Sequence, residues 1–193
     1  MIFEISLVSL LSYLSGSIPF GLILGKFFLN KDIRKIGSKN IGATNVLRTG
    51  NKFIAFLTLV LDIFKGVFPV FICGYLFPDL IFLSALSAFL GHIFPIWLKF
   101  IGGKGVATYL GTIFALSLKL GIIFCLSWII IAFFTRYSSL SAIISSLIVF
   151  VFSFSNINFE LNSYLFMTFI IILFTHKQNI ARIKNKTEDK IKL

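Results

Sequence analysis

Long apolar runs dominate the chain. Residues 2–28, 53–77 and 80–98 each reach bilayer-crossing length, and further apolar stretches follow at 106–118, 120–134, 138–154 and 161–175. A helix needs about 20 residues to cross the hydrocarbon. Inside that layer a backbone must satisfy its own hydrogen bonds, which leaves helices or closed barrels, and these runs do not alternate as barrel strands would. The pattern predicts an all-α integral membrane protein of about seven transmembrane helices, with residues 1–193 forming a single polytopic domain. A hydrophobic content of 58% with 25 Phe excludes a water-soluble surface.

Within the runs a few residues break the pattern. Gly16-Ser17-Ile18-Pro19 interrupts the first, because Pro19 removes a backbone donor and should kink the helix near its end. The second holds Asp62 and Lys65, spaced to share a helical face and neutralise each other as an ion pair. The third holds His92, expected to be a neutral packing residue. The fourth and fifth runs are short, and the turn between them is placed at Lys119. The N-terminus has no basic segment and carries Glu4, so it reads as a retained first span. Cys73 and Cys125 lie in separate apolar runs and predict free thiols.

The formal charge of +11 could suggest nucleic acid, but its placement argues against such a partner. Sixteen of the eighteen Lys and Arg fall in alternate connectors and the C-terminal tail, while Asp79 and Glu160 occupy the others. That asymmetry predicts an N-terminus outside and a cytoplasmic C-terminus. It also predicts that three polar islands lie on the cytoplasmic side, where they can converge.

The first island, residues 36–48, reads IGSKNIGATNVLR. A connector needs charge for topology, but that does not account for two glycines, a Thr-Asn pair and a terminal Arg. Glycines bring backbone N–H groups close to a ligand, and hydroxyl, amide and cationic side chains complete an anion site. The second island contains Gly102-Gly103-Lys104-Gly105; Leu98 and Gly105 stand where a Walker A loop would need Gly and Ser or Thr. A lysine among three glycines still offers an ammonium beside approachable amides. The third island begins HKQNIARIKNKTEDK, with His176 and Asn179 three apart and able to face one way. Ser38, Arg48, Lys104, His176 and Asn179 together suit a small phosphorylated molecule. Two histidines and dispersed acids give no metal cluster and no Ser-His-Asp triad.

These islands, with GSIPFG in the first span and DIFKG in the second, resemble the three signature loops of the bacterial acyl-phosphate-dependent glycerol-3-phosphate acyltransferases over essentially the whole chain. The resemblance implies transfer of a fatty acyl group from acyl phosphate to the primary hydroxyl of glycerol 3-phosphate, giving lysophosphatidic acid and phosphate in the bacterial inner membrane, without a cofactor or metal. It implies that Ser38, Arg48, Lys104, His176 and Asn179 contact glycerol 3-phosphate, and that Gly42, Thr44, Asn45, Gly102, Gly103 and Gly105 cradle the acyl phosphate. It also implies a functional link to a phosphate acyltransferase that makes the donor. Two departures stand out: Lys39 and Lys186 occupy positions where the family commonly has Gly. Ser38 could orient the hydroxyl or relay its proton, or a substrate phosphate could take that proton. The alternative from another class is a small multi-span anion or lysolipid transporter, which the absence of a visible internal repeat disfavours.

Overall fold

The computed structural model describes residues 1–155 and 158–191. It is helical throughout, with no strand among the described residues: α1 (Ile2–Ser17), α2 (Phe20–Leu29), α3 (Ala43–Leu47), α4 (Lys52–Leu76), α5 (Ile81–Ile93), α6 (Val106–Leu116), α7 (Leu118–Thr135), α8 (Ser138–Ser153), α9 (Phe159–Thr175) and α10 (Lys177–Lys184). By length and composition four segments can cross a membrane: Ile2–Leu29, Lys52–Leu76, Pro78–Leu98 and Leu118–Thr135. A fifth is added if α9 and α10, which meet at 56°, count as one. The connector expected at 155–160 includes residues 156 and 157, which lie outside the described residues. Glu160 belongs to the first turn of α9, where Asn158 caps the helix by accepting from the Leu161 N–H at 2.8 Å.

The chain forms two compact units, Met1–Leu116 and Ser117–Leu193. In the first, helix pairs approach through small residues. A Cβ on Gly16 of α1 would overlap the Ala88 carbonyl of α5, and one on Gly91 of α5 would overlap the Tyr13 carbonyl of α1. The same reciprocity joins α4 and α6, where Gly66 faces the Thr108 carbonyl and Gly111 the Ile63 carbonyl. Association in lipid has no apolar driving force between helices, so close backbone packing of this kind supplies the contact. Ser12 and Ser84 add a buried hydroxyl pair at 2.8 Å between α1 and α5. Large apolar side chains such as Phe56, Phe64, Phe68 and Phe71 face outward, as a lipid-bathed surface requires.

The first span breaks between α1 and α2 at Ile18 and Pro19, as expected. The third expected run also breaks. It is helical to Ile93, after which Pro95 starts a single 3-10 turn, Ile96–Leu98. In the second unit the turn expected at Lys119 lies earlier, at Ser117. That residue is extended (φ −161°), and its hydroxyl accepts from the Leu120 N–H at 3.4 Å, so cap chemistry rather than charge sets the boundary. Lys119 is inside α7, with its ammonium 4.8 Å from the centroid of the Phe152 ring.

Candidate active site

The first island is a folded scaffold. After α2, Asn30 takes a left-handed conformation (φ 50°), and the Lys31 N–H returns to the Gly25 carbonyl at 3.1 Å. Asp32 then grips Arg34 with two bonds, 3.0 Å to Nε and 2.7 Å to Nη2, while accepting the Arg34 N–H. The hydrogen bond from the Arg34 side chain, above all, holds the Asp32 carboxyl down to about 2. Arg34 is thereby committed to the loop. The turn at 36–39 is closed by the Lys39 N–H on the Ile36 carbonyl at 2.9 Å, with Gly37 and Lys39 both left-handed at φ 51° and 61°.

Asn45 holds this scaffold together. It is 1% exposed, its Oδ1 accepts from the Ser38 N–H at 3.0 Å, and its Nδ2 donates to the Ile33 and Asn40 carbonyls, both at 2.8 Å. The resemblance implied that Asn45 cradles acyl phosphate; in the structure its amide is used within the loop and braces Ser38 from behind. Arg48 caps the short helix α3, and its side chain passes over Gly37, where a Cβ would come within 2.7 Å of Arg48 Cδ. Ser38 and Arg48, expected to act together, are thus carried on one small framework. Ser38 is half-buried, whereas Arg48 and Thr44 are exposed, and Gly42 is the N-cap of α3.

The second island is a tight loop docked on the end of α5. The Gly102 N–H bonds to the Ile93 carbonyl at 3.0 Å and the Gly103 N–H to the His92 carbonyl at 3.1 Å. Neither Gly103 nor Gly105 has room for a side chain: a Cβ would overlap His92 Nε2 at the former and the Phe89 ring at the latter, where φ is also 86°. Lys104, half-buried between them, extends from a backbone that can move little. The loop then enters α6, with the Tyr109 N–H on the Gly105 carbonyl at 2.7 Å.

In the second unit His176 lies at the bend between α9 and α10, 2% exposed, with Nδ1 2.8 Å from the Ile172 carbonyl. A carbonyl only accepts, so Nδ1 carries the proton, and Nε2 is the basic nitrogen of the neutral ring. Asn179 follows on α10, 4% exposed. The residue that sequence reasoning missed is Glu188. Its Oε1 accepts from Asn179 Nδ2 at 2.6 Å and Ser139 Oγ at 2.8 Å, and its Oε2 accepts from Arg182 Nε at 2.7 Å. Burial pushes this carboxyl up, but hydrogen bonds from Asn179, Arg182 and Ser139 outweigh it and hold it below the usual glutamate value. The available signal was an acid just past a basic helix.

Each island therefore presents cations or neutral donors, and two nearby carboxylates, Asp32 and Glu188, are engaged by Arg34 and Arg182. Such sets suit an anionic substrate. The glycerol-3-phosphate acyltransferase family matches residues 6–186. A glycerol-3-phosphate acyltransferase of Pelagibacter ubique (strain HTCC1062) is 53% identical over 192 residues, 98% of this chain and 99% of its own. The corresponding protein of Bradyrhizobium diazoefficiens is 46% identical over 182 residues, 94% and 92% of the two chains. The crystal structure of PlsY (YgiH), an integral membrane glycerol 3-phosphate acyltransferase, in its glycerol 3-phosphate form, superposes with a TM-score of 0.93 at 33% identity, covering 98% of this chain and 96% of that one. Its lysophosphatidic acid form gives 0.90 at 32% identity, with the same coverage. The chain belongs to the glycerol-3-phosphate acyltransferase family of integral membrane proteins.

Proposed function

We propose that this protein transfers a fatty acyl group from an acyl phosphate to the primary hydroxyl of glycerol 3-phosphate. The carrying observation is the Asn45-braced loop, which carries Ser38 and, with its side chain over Gly37, Arg48 on one framework. The existence of glycerol 3-phosphate and lysophosphatidic acid forms of a 33% identical relative supports the same acceptor and product. The hydroxyl oxygen attacks the acyl carbonyl, the carbon–oxygen bond to phosphate breaks, and inorganic phosphate leaves with its electron pair. The donor is already activated, so holding the reactants and neutralising phosphate charge provides most of the acceleration.

In this reading Arg48 and Lys104 bind phosphate oxygens, Ser38 orients the hydroxyl, and Asn179 donates to the acceptor. Gly42, Thr44, Gly102, Gly103 and Gly105 shape the donor's cradle, and Asn45 holds it. The proton passes to a substrate phosphate oxygen or to His176 Nε2. A pH–rate profile unchanged in His176→Gln assigns it to the phosphate. The chain acts as one polytopic domain of seven spans in the bacterial inner membrane, N-terminus outside and C-terminus cytoplasmic. The concentration of sixteen of its eighteen Lys and Arg in alternate connectors supports that orientation. A phosphate acyltransferase supplies the donor.

The test is purified protein in detergent with glycerol 3-phosphate and, in parallel, palmitoyl phosphate, palmitoyl-CoA and palmitoyl acyl carrier protein. Lysophosphatidic acid forms from the first donor, and Arg48→Ala and Lys104→Ala abolish it while the protein stays folded. Product from the thioesters alone would reassign the donor. No product from any donor would favour an anion or lysolipid transporter.

A further inference from the structure

Three buried acidic or basic side chains lie within the apolar helices of the first unit, outside every polar island. Asp62 and Lys65 on α4 and His92 near the end of α5 are 1%, 2% and 3% exposed. Charge placed there is expensive and needs a reason. Ion pairing is part of it, with Lys65 Nζ 2.7 Å from Asp62 Oδ1. The remaining contacts reach toward the site.

Lys65 Nζ also donates to the Ile18 carbonyl at 2.7 Å. In a continuous helix that carbonyl would accept from the Leu22 N–H, which here bonds instead to the Pro19 carbonyl at 3.0 Å. The Ile18 carbonyl also accepts the Phe20 N–H at 3.1 Å, so the ammonium is a second donor that anchors α4 to the break in the first span. The exchange is reciprocal: Pro69 inside α4 has no N–H to offer the Lys65 carbonyl, and Ser15 Oγ from α1 donates to it at 3.1 Å. On the other side of the cluster His92 Nδ1 lies 3.9 Å from Asp62 Oδ1. The Nε2 edge of the same ring fills the space a Gly103 Cβ would need, and the His92 carbonyl holds the Gly103 N–H. Gly103 immediately precedes Lys104. One buried cluster therefore ties the break above the first island to the loop carrying Lys104.

We propose that Asp62, Lys65 and His92 are positioning residues for acyl transfer: they fix the glycine loop against the broken span, so that Lys104 is held where phosphate binds. This rests on the assignment of Lys104 to substrate phosphate. Packing alone does not require the charges, because apolar residues of similar volume replace buried ion pairs without loss of stability in other proteins.

The experiment compares the full-length protein with Asp62→Leu/Lys65→Met, which removes both charges together, and with His92→Gln. Thermal stability in detergent and steady-state kinetics are measured with glycerol 3-phosphate varied. The double variant melts within a few degrees of the parent, while KM for glycerol 3-phosphate rises about tenfold or more and kcat changes much less, as expected for displaced binding groups. Unchanged KM and kcat in the double variant overturn the proposal, as does a loss of melting temperature with kinetics intact. If the double variant does not fold, His92→Gln decides: a raised KM supports the cluster's role and a parental KM overturns it. If wild-type protein transfers nothing from acyl phosphate, the donor assignment fails by itself. The same comparison then uses the glycerol 3-phosphate concentration giving half-maximal thermal shift, with the same tenfold criterion.

Discussion

Asn45→Ala tests the loop architecture most directly. Truncation removes three hydrogen bonds, to the Ser38 N–H and to the Ile33 and Asn40 carbonyls. Each is worth roughly 1 kcal/mol net, and a buried group left unpaired costs more. The bond to Ile33 is fully buried, whereas those to Ser38 and Asn40 are part-buried, so water can replace some of the loss. A destabilisation of about 2–3 kcal/mol follows, a large share of the ~5–15 kcal/mol that holds a typical domain together. In a chain of this size that corresponds to a fall of about 5–10 °C in melting temperature. Asn45→Asp, although isosteric, is worse than alanine, because it turns a carboxylate oxygen toward two carbonyls. The assay is thermal unfolding without substrate, alongside transfer activity. Loop bracing predicts lower substrate-free stability and lower activity together. Unchanged substrate-free melting with a raised KM would refute the argument and make Asn45 a direct substrate contact.

Lys186→Gly is expected to raise stability by about 1 kcal/mol, since lysine at φ 58° forgoes the freedom glycine has there; a lower melting temperature would refute this. Glu188→Gln removes the carboxylate charge from three hydrogen bonds, and its effect depends on pH with a definite sign. Because the folded carboxyl is held below its usual value, Glu188 contributes stability above about pH 4.5, and that contribution disappears as pH falls through the lowered folded value. The melting-temperature gap between wild type and Glu188→Gln should therefore be widest near pH 6–7 and close below about pH 4.5, and a gap independent of pH would exclude the linkage. Gly103→Ala should abolish transfer through its clash with the His92 ring, and His92→Ala in the same chain should restore part of it; no recovery would separate the two residues.

The four membrane-crossing segments were legible because length and apolar content are one-dimensional properties, and the Asp62–Lys65 pair because helical spacing alone places them together. Boundaries were less so. Lys119 drew the turn toward itself, although an extended Ser117 two residues earlier is the better cap. The first island's composition pointed to a candidate anion site but hid its construction. α3 has only five residues, too few for a periodic signal, and Asn45 looks from sequence like any donor facing a ligand. Glu188 escaped because its partners Ser139, Asn179 and Arg182 are assembled only when the chain folds back beyond α10.

The two departures from the family's pattern, Lys39 and Lys186, share a left-handed backbone. Beyond α10 the Lys186 N–H bonds to the Ile183 carbonyl at 3.0 Å and the Thr187 N–H to the Arg182 carbonyl at 2.8 Å, a Schellman ending that turns through a left-handed residue. Glycine fits there without strain, and this chain uses lysine. Lys39, the other departure, is also left-handed, in the turn that presents Ser38. At Lys39 the left-handed residue is a cation next to Ser38, in a loop proposed to bind phosphate, so restoring glycine there should act in opposite directions on the two measurable quantities. Lys39→Gly is expected to relieve about 1 kcal/mol of backbone strain and raise melting temperature. It should also weaken glycerol 3-phosphate binding severalfold at low salt, with the difference shrinking as added salt screens the exposed ammonium. If the same substitution leaves KM unchanged at every ionic strength, the lysine charge has no part in binding and Lys39 is a strained residue only.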